Sequence, residues 1–179
     1  SPERGYSLFK AVEYIRKSHI SGDFVECGVW KGGSCMLIAK ALQRFGDRGR
    51  HLHLYDTFTG MTDPTSEDII AWNDRSIVDR WEEDKRTDKF GSWSIGVDEV
   101  RRNMISTGYD TERLHFVVGD ICDTIDSHIP DSIALLRLDT DWYASTAKEL
   151  DILYPRVVSG GILIVDDYGH FKGARKAVD

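Results

Sequence analysis

The stretch Phe24-Val25-Glu26-Cys27-Gly28-Val29-Trp30-Lys31-Gly32-Gly33-Ser34 decides the architecture. Phe24 and Val25 lead into Gly28 as a short buried strand, and residues 34–45 follow as a helix with Met36, Leu37, Ala39, Ala41 and Leu42 at its apolar positions. Strand, glycine turn and helix in that order open a βαβ unit. Gly28 is expected to turn the backbone tightly and let it approach a ligand. Gly32 and Gly33 leave room at the helix start, whose free N–H groups favour a carboxylate or phosphate. Ser34 is expected to cap this helix or to bond the ligand. Cys27 is read as a reduced, buried small hydrophobe whose alternative role is a backbone contact to a ligand, not thiol chemistry. The glycine spacing is not GxGxxG and no GKS or GKT follows, which disfavours a nicotinamide-dependent reductase and a nucleoside triphosphatase.

Outward from this turn the chain keeps alternating. Residues 8–20 carry Leu8, Val12, Ile15 and His19 at helical spacing, with Gly22 as the breaker. Residues 51–56 alternate as a second strand ending in Asp56, and residues 97–106 read as a helix. Further strands are expected at 115–118, 133–138 and 161–165, with a helix at 146–154 stopped by Pro155. Strands alternating with helices imply an α/β fold with a Rossmann-like parallel sheet covered on both faces. Residues 57–94 break the pattern. They are polar, charged and tryptophan-bearing (Trp72, Trp81, Trp93), as suits a lid over the carboxyl edge of the sheet with a helix within 67–86; a surface insertion is the competing account.

In such sheets ligands bind beyond the carboxyl ends of the strands. Asp56, closing the second strand, is placed to accept both hydroxyls of a ribose, and Asp120, after Val118-Gly119, to accept an adenine amino group. A turn or helix-cap role is the alternative for each. The strongest constellation is acidic: Asp139 and Asp141 follow the strand at 133–138, and Asp166 and Asp167 follow the strand at 161–165. If these strands are neighbours, the carboxylates converge at a cost that a bound dication would offset. Oxygen donors without His or Cys favour Mg²⁺, or Mn²⁺ or Ca²⁺, over zinc. Three of the acids suffice as ligands, leaving one as a general base for a substrate hydroxyl, and Asp139 or Asp141 can fill either role. His170 is a second candidate base or substrate contact, or simply a loop histidine. Arg137, inside a strand expected to be buried, has no evident partner in the sequence.

Composition narrows the field. The chain has 179 residues and a formal net charge of −7, enough for one domain and unsuited to a phosphate backbone or an anionic membrane. No apolar run approaches the roughly 20 residues of a membrane span, and Ser1-Pro2-Glu3-Arg4 lacks the apolar core of a signal peptide. A cytoplasmic location is the default expectation. Cys27, Cys35 and Cys122 form neither a CxxC pair nor a disulfide frame.

The first stretch, taken with Tyr55-Asp56-Thr57-Phe58, Asp139-Thr140-Asp141-Trp142-Tyr143, Ser145-Thr146, Gly160-Gly161, Asp166-Asp167-Tyr168 and Gly173-Ala174-Arg175-Lys176-Ala177-Val178, resembles the macrocin and mycinamicin sugar O-methyltransferases. The resemblance covers nearly the whole chain. It implies a class I fold dependent on S-adenosylmethionine (SAM), with Mg²⁺ (or Mn²⁺) held by Asp139, Asp166 and Asp167. It further implies Asp141 as the base that deprotonates a sugar hydroxyl. Glu26, Gly28, Ser34, Asp56 and Asp120 fall where that family binds SAM; Cys27, Gly32 and Thr57 lie in the same motifs, and Ser94 is expected to touch the cofactor. The acceptor is expected to be a small glycosidic or hydroxylated molecule, and the family's habit of self-association implies a homo-oligomer. A catechol or phenol acceptor, or a SAM-binding module without activity, are the rival readings. The family continues past the position of Asp179 through a helix and an antiparallel hairpin, so residues 1–179 are expected to be a single, C-terminally truncated domain.

Overall fold

The computed structural model describes residues 1–86 and 94–179; the Trp93 named above lies outside them. Five strands, β1 (Asp23–Cys27), β2 (Leu52–Asp56), β3 (Leu114–Val118), β4 (Ile133–Leu138) and β5 (Val157–Val165), form one sheet in the order β3-β2-β1-β4-β5. Every pairing is parallel. This is the Rossmann-like class I arrangement expected from the sequence. The order reverses between β1 and β4, where a crevice must open at the carboxyl ends of the strands.

Period-two alternation divides the core between the two faces. Phe24, Leu54 and Leu135 meet α1 (Pro2–Lys17), α2 (Gly33–Arg44) and α4 (Val97–Ser106) through Val12, Ile15, Ile38, Leu42, Val100 and Met104. Val25, Tyr55 and Leu136 point the other way, toward Ile121 of α5 (Ile121–Thr124), Leu150 of α6 (Tyr143–Ile152) and Leu153 just beyond it. Fully buried strands therefore read as continuous apolar runs, which β4 does except at Arg137.

The first helix begins earlier than the apolar stripe indicates. Ser1 accepts from the Arg4 N–H as a cap, Pro2 occupies the first turn, and the helix stops at Lys17, so His19 lies outside it at φ +52°. The fifth strand also starts earlier, at Val157. Gly160 at φ +81° stays inside it because the ladder opposite shifts register between Ile133 and Leu135 and absorbs the extra residues.

Residues 57–86 carry α3 (Ile77–Arg86) and pack on a third apolar cluster. Trp81 meets Trp142 edge-on at 5.8 Å, and Trp142 meets Phe171 at 5.1 Å. Ile70 pairs with Phe171 in an antiparallel bridge just before α7 (Lys172–Val178), and the Trp142 indole donates to the Thr62 carbonyl at 2.8 Å. Asp68 is the polar centre of this layer. Fully buried, it accepts from the Thr65 and Tyr143 backbone N–H groups, at 2.7 and 2.8 Å, and from the Thr65 hydroxyl. Among the described residues no helix is long and apolar enough to cross a membrane.

Candidate active site

At the reversal point a cavity of about 1120 Å³ opens, with Gly28, Asp56 and Asp120 on one side and Asp139, Asp166 and Asp167 on the other. Its two halves are joined by backbone. The Asp139 N–H donates to the Cys27 carbonyl at 2.8 Å, and a Cβ on Gly28, whose φ is +83°, would collide with the Asp139 carbonyl. The glycine is thus required by the approach of the fourth strand, a reason different from the ligand contact expected of it.

On the glycine-turn side most polar groups already have partners. Asp56 Oδ2 accepts from the Val29 and Trp30 N–H groups at 2.7 and 2.9 Å, and Oδ1 from Phe58 N–H at 2.7 Å. These bonds fix the carboxylate at the end of β2, on the wall of the cavity. Asp120 accepts from Cys122 N–H and caps α5, the turn role open to it from the sequence, and it also lines the cavity. Gly32, at φ +80°, is the residue before α2; Ser34 sits inside its first turn and bonds the Glu26 carboxylate, so it is not the cap. Thr57 donates to the Gly60 carbonyl at the cavity edge. Cys27 turns its thiol into the core, and burial pushes its pKa well up. Ser94 is exposed, next to Gly60.

On the other side β4 and β5 are neighbours, and one carboxylate oxygen from each of Asp139, Asp166 and Asp167 lies within 4.8 Å of the others. Asp166 is carried there by its N–H bond to the Leu138 carbonyl at 2.9 Å. Asp141 does not extend the strand: β4 ends at Leu138, and Asp141 stands at φ +68°. Its carboxyl nevertheless turns back to hydrogen-bond Asp167. Burial first, and then the neighbouring carboxylates, hold Asp141 well above the usual carboxylate range and push Asp139 up to about 7, against the opposing pull of Arg137 on Asp139. Among the described residues, the buried Oδ2 of Asp167 has no hydrogen-bond partner. An array of hard oxygens with an orphaned member fits a divalent cation.

Arg137 has the partners that its sequence context hid. Its Nη1 donates to Glu26 and, at 2.8 Å, to Asp139 Oδ2, and Nη2 lies 3.3 Å from Asp166 Oδ1. Arg4 of α1, largely exposed, pairs with Asp166 Oδ2 at 2.8 Å. Glu26, fully buried, is therefore engaged by Arg137, Cys35 and Ser34 even though it borders the cavity. His170 is exposed at the rim, where its ring meets Trp72 edge-on at 4.5 Å. Glu149, buried beneath Thr140, and Asp68 are polar residues that the sequence reading passed over; both lie in helical or loop surroundings with no motif to mark them.

A match to the macrocin-O-methyltransferase (TylF) family spans residues 3–179. Demethyldecarbamoylnovobiocin O-methyltransferase of Streptomyces niveus is 34% identical over 173 residues, which is 97% of this chain and 63% of that protein. The 8-demethyl-8-(2,3-dimethoxy-alpha-L-rhamnosyl)-tetracenomycin-C 4'-O-methyltransferase of Streptomyces olivaceus is 33% identical over 162 residues, 90% of this chain and 59% of that protein. The solved structure of the O-methyltransferase NovP superposes with a TM-score of 0.81 at 34% identity, covering 98% of this chain and 69% of the other. The chain spans about three-fifths of the length of the two curated relatives.

Proposed function

Because the chain belongs to the macrocin-O-methyltransferase family, we propose that it transfers the SAM methyl group to a sugar hydroxyl of a glycosylated natural product. The observation that carries this reading is the convergence of Asp139, Asp166 and Asp167 beside the glycine turn, with a buried oxygen of Asp167 left without a partner among the described residues. These three acids would hold Mg²⁺ or Mn²⁺, and Asp56, Asp120 and the backbone of the 28–34 turn would hold SAM. When bound, the cation lowers the pKa of a coordinated hydroxyl and SAM supplies the electrophilic methyl.

The remaining work falls to the side chains. Arg4, being exposed, is the partner that can release Asp166 Oδ2. Asp141 is the proton acceptor in this reading. Its burial among like charges favours the protonated carboxyl in the free chain, and positive charge added beside it returns it to the carboxylate. Residues 57–86, seated on the Trp81–Trp142–Phe171 stack, act as the lid that keeps water from the reacting oxygens. Positioning plus charge stabilisation is the protein's contribution.

The test is methyl transfer from SAM to a panel of glycosides and catechols, with Mn²⁺ added or with EDTA. Asp139→Asn and Asp167→Asn are expected to lower turnover at least about 100-fold, a scale set by loss of cation-borne charge stabilisation, while leaving S-adenosylhomocysteine binding within a few fold. Undiminished turnover in EDTA would remove the cation from the reading, and methylation confined to catechols would remove the sugar.

A further inference from the structure

Arg137 is a charged residue one position before the end of the fully buried strand β4, directly paired in register with Glu26 of β1. Its guanidinium cannot shed its proton and cannot ligate a cation. It nevertheless touches two of the three converging acids, one from the end of β4 and one from the end of β5, and fixes itself to a third carboxylate on β1. Glu26 in turn is held from α2 by Cys35 and Ser34. The planar group thus spans three strands, and its place is set from the cofactor side of the cavity.

We propose that Arg137 is the positioning residue of the acidic centre, holding the Asp139 and Asp166 carboxylates in a ligating arrangement before a divalent cation arrives. This rests on the reading of that centre as a cation site. Two accounts of the guanidinium differ in sign. If it served only to neutralise charge, lysine would replace it, and its removal would leave a more negative centre that binds a dication more tightly. If it positions, lysine fails, because one ammonium on a flexible stem cannot reproduce a rigid fork that reaches separate carboxylates.

The experiment is Mn²⁺ titration of the purified chain, followed by calorimetry and by the electron paramagnetic resonance spectrum of the bound ion. Wild type is compared with Arg137→Lys and with the double variant Arg137→Met/Glu26→Gln, which removes both buried charges together and leaves neither unpaired. Folding is checked by thermal melting. Both variants are expected to bind Mn²⁺ about 10- to 100-fold more weakly, the usual cost of losing a residue that orients ligands, with a changed line shape for the ion that still binds. Arg137→Lys with wild-type affinity and spectrum, or unchanged or tighter binding by the double variant, would overturn the proposal. Absence of Mn²⁺ binding by the wild type would overturn the cation reading itself and this proposal with it, a result distinguishable from the other two.

Discussion

Glu149 lies fully buried on α6, where the Thr140 hydroxyl donates to one carboxylate oxygen at 3.2 Å and the other oxygen has no partner among the described residues. Burial pushes its pKa up from 4.5 to about 8, with Asp139 adding in the same direction. The folded chain therefore keeps a proton that the unfolded chain gives up, and between these two values stability falls as pH rises. The contribution is complete below the unfolded value and is lost through the folded one. Glu149→Gln removes the ionisation and keeps the shape. It is expected to be more stable than wild type at pH 9 by on the order of a few kcal/mol, and about equal to it at pH 5; urea melts at the two pH values measure this, and parallel curves would refute it. At the rim, Trp72 is 65% exposed and lines the cavity beside His170. Trp72→Ala is expected to raise the acceptor KM about tenfold, equivalent to about 1.4 kcal/mol, without changing S-adenosylhomocysteine binding. An unchanged KM would assign the indole to the surface alone.

The stretches Val97–Ser106 and Ile133–Leu138 form where the sequence places them, the first because its apolar residues recur at helical spacing and the second because it is an almost unbroken apolar run. The helix expected at 146–154 runs Tyr143–Ile152, because its first turn is fixed by Asp68 accepting from Tyr143 N–H, a contact 75 residues away in sequence. No local pattern marks such a tie. The acid's influence reaches α7 as well, where any side chain at Gly173 would collide with Asp68. Asp68→Ala is expected to cost about 2 kcal/mol or more, since it leaves buried donors unpaired. Hydrogen exchange should report that loss chiefly within residues 62–86 and the start of α6, and protection lost equally across β1, β2 and β4 would contradict a local anchoring role.

For the whole molecule, the sheet class and the meeting of acids at strand ends were legible because both follow from alternation and from where strands stop. The partners of Arg137 were not legible. Its tie to Glu26 depends on β1 lying beside β4, an adjacency of non-consecutive strands that periodicity does not encode. The same adjacency predicts linked behaviour of the two halves of the cavity. A ligand that binds only the folded chain stabilises it by about 2.7 kcal/mol at a hundredfold excess over Kd, and each kcal/mol is worth about 2–4 °C at this size. S-adenosylhomocysteine and Mn²⁺ together are thus expected to raise the melting temperature by several degrees, with EDTA reversing only the metal's share; no response to either would contradict the cavity assignment. The collision waiting at Gly28 has a consequence for redesign. Segments exchanged with a homologue will be tolerated where residues 57–86 move as a block that keeps Asp68 and Trp81 for their partners outside it, whereas a crossover that inherits the glycine turn from one parent and the Asp139 strand end from another must match the two backbones to within a methyl group. Under the proposed function, new acceptor preferences are therefore best sought by shuffling the cover and inheriting the seam intact.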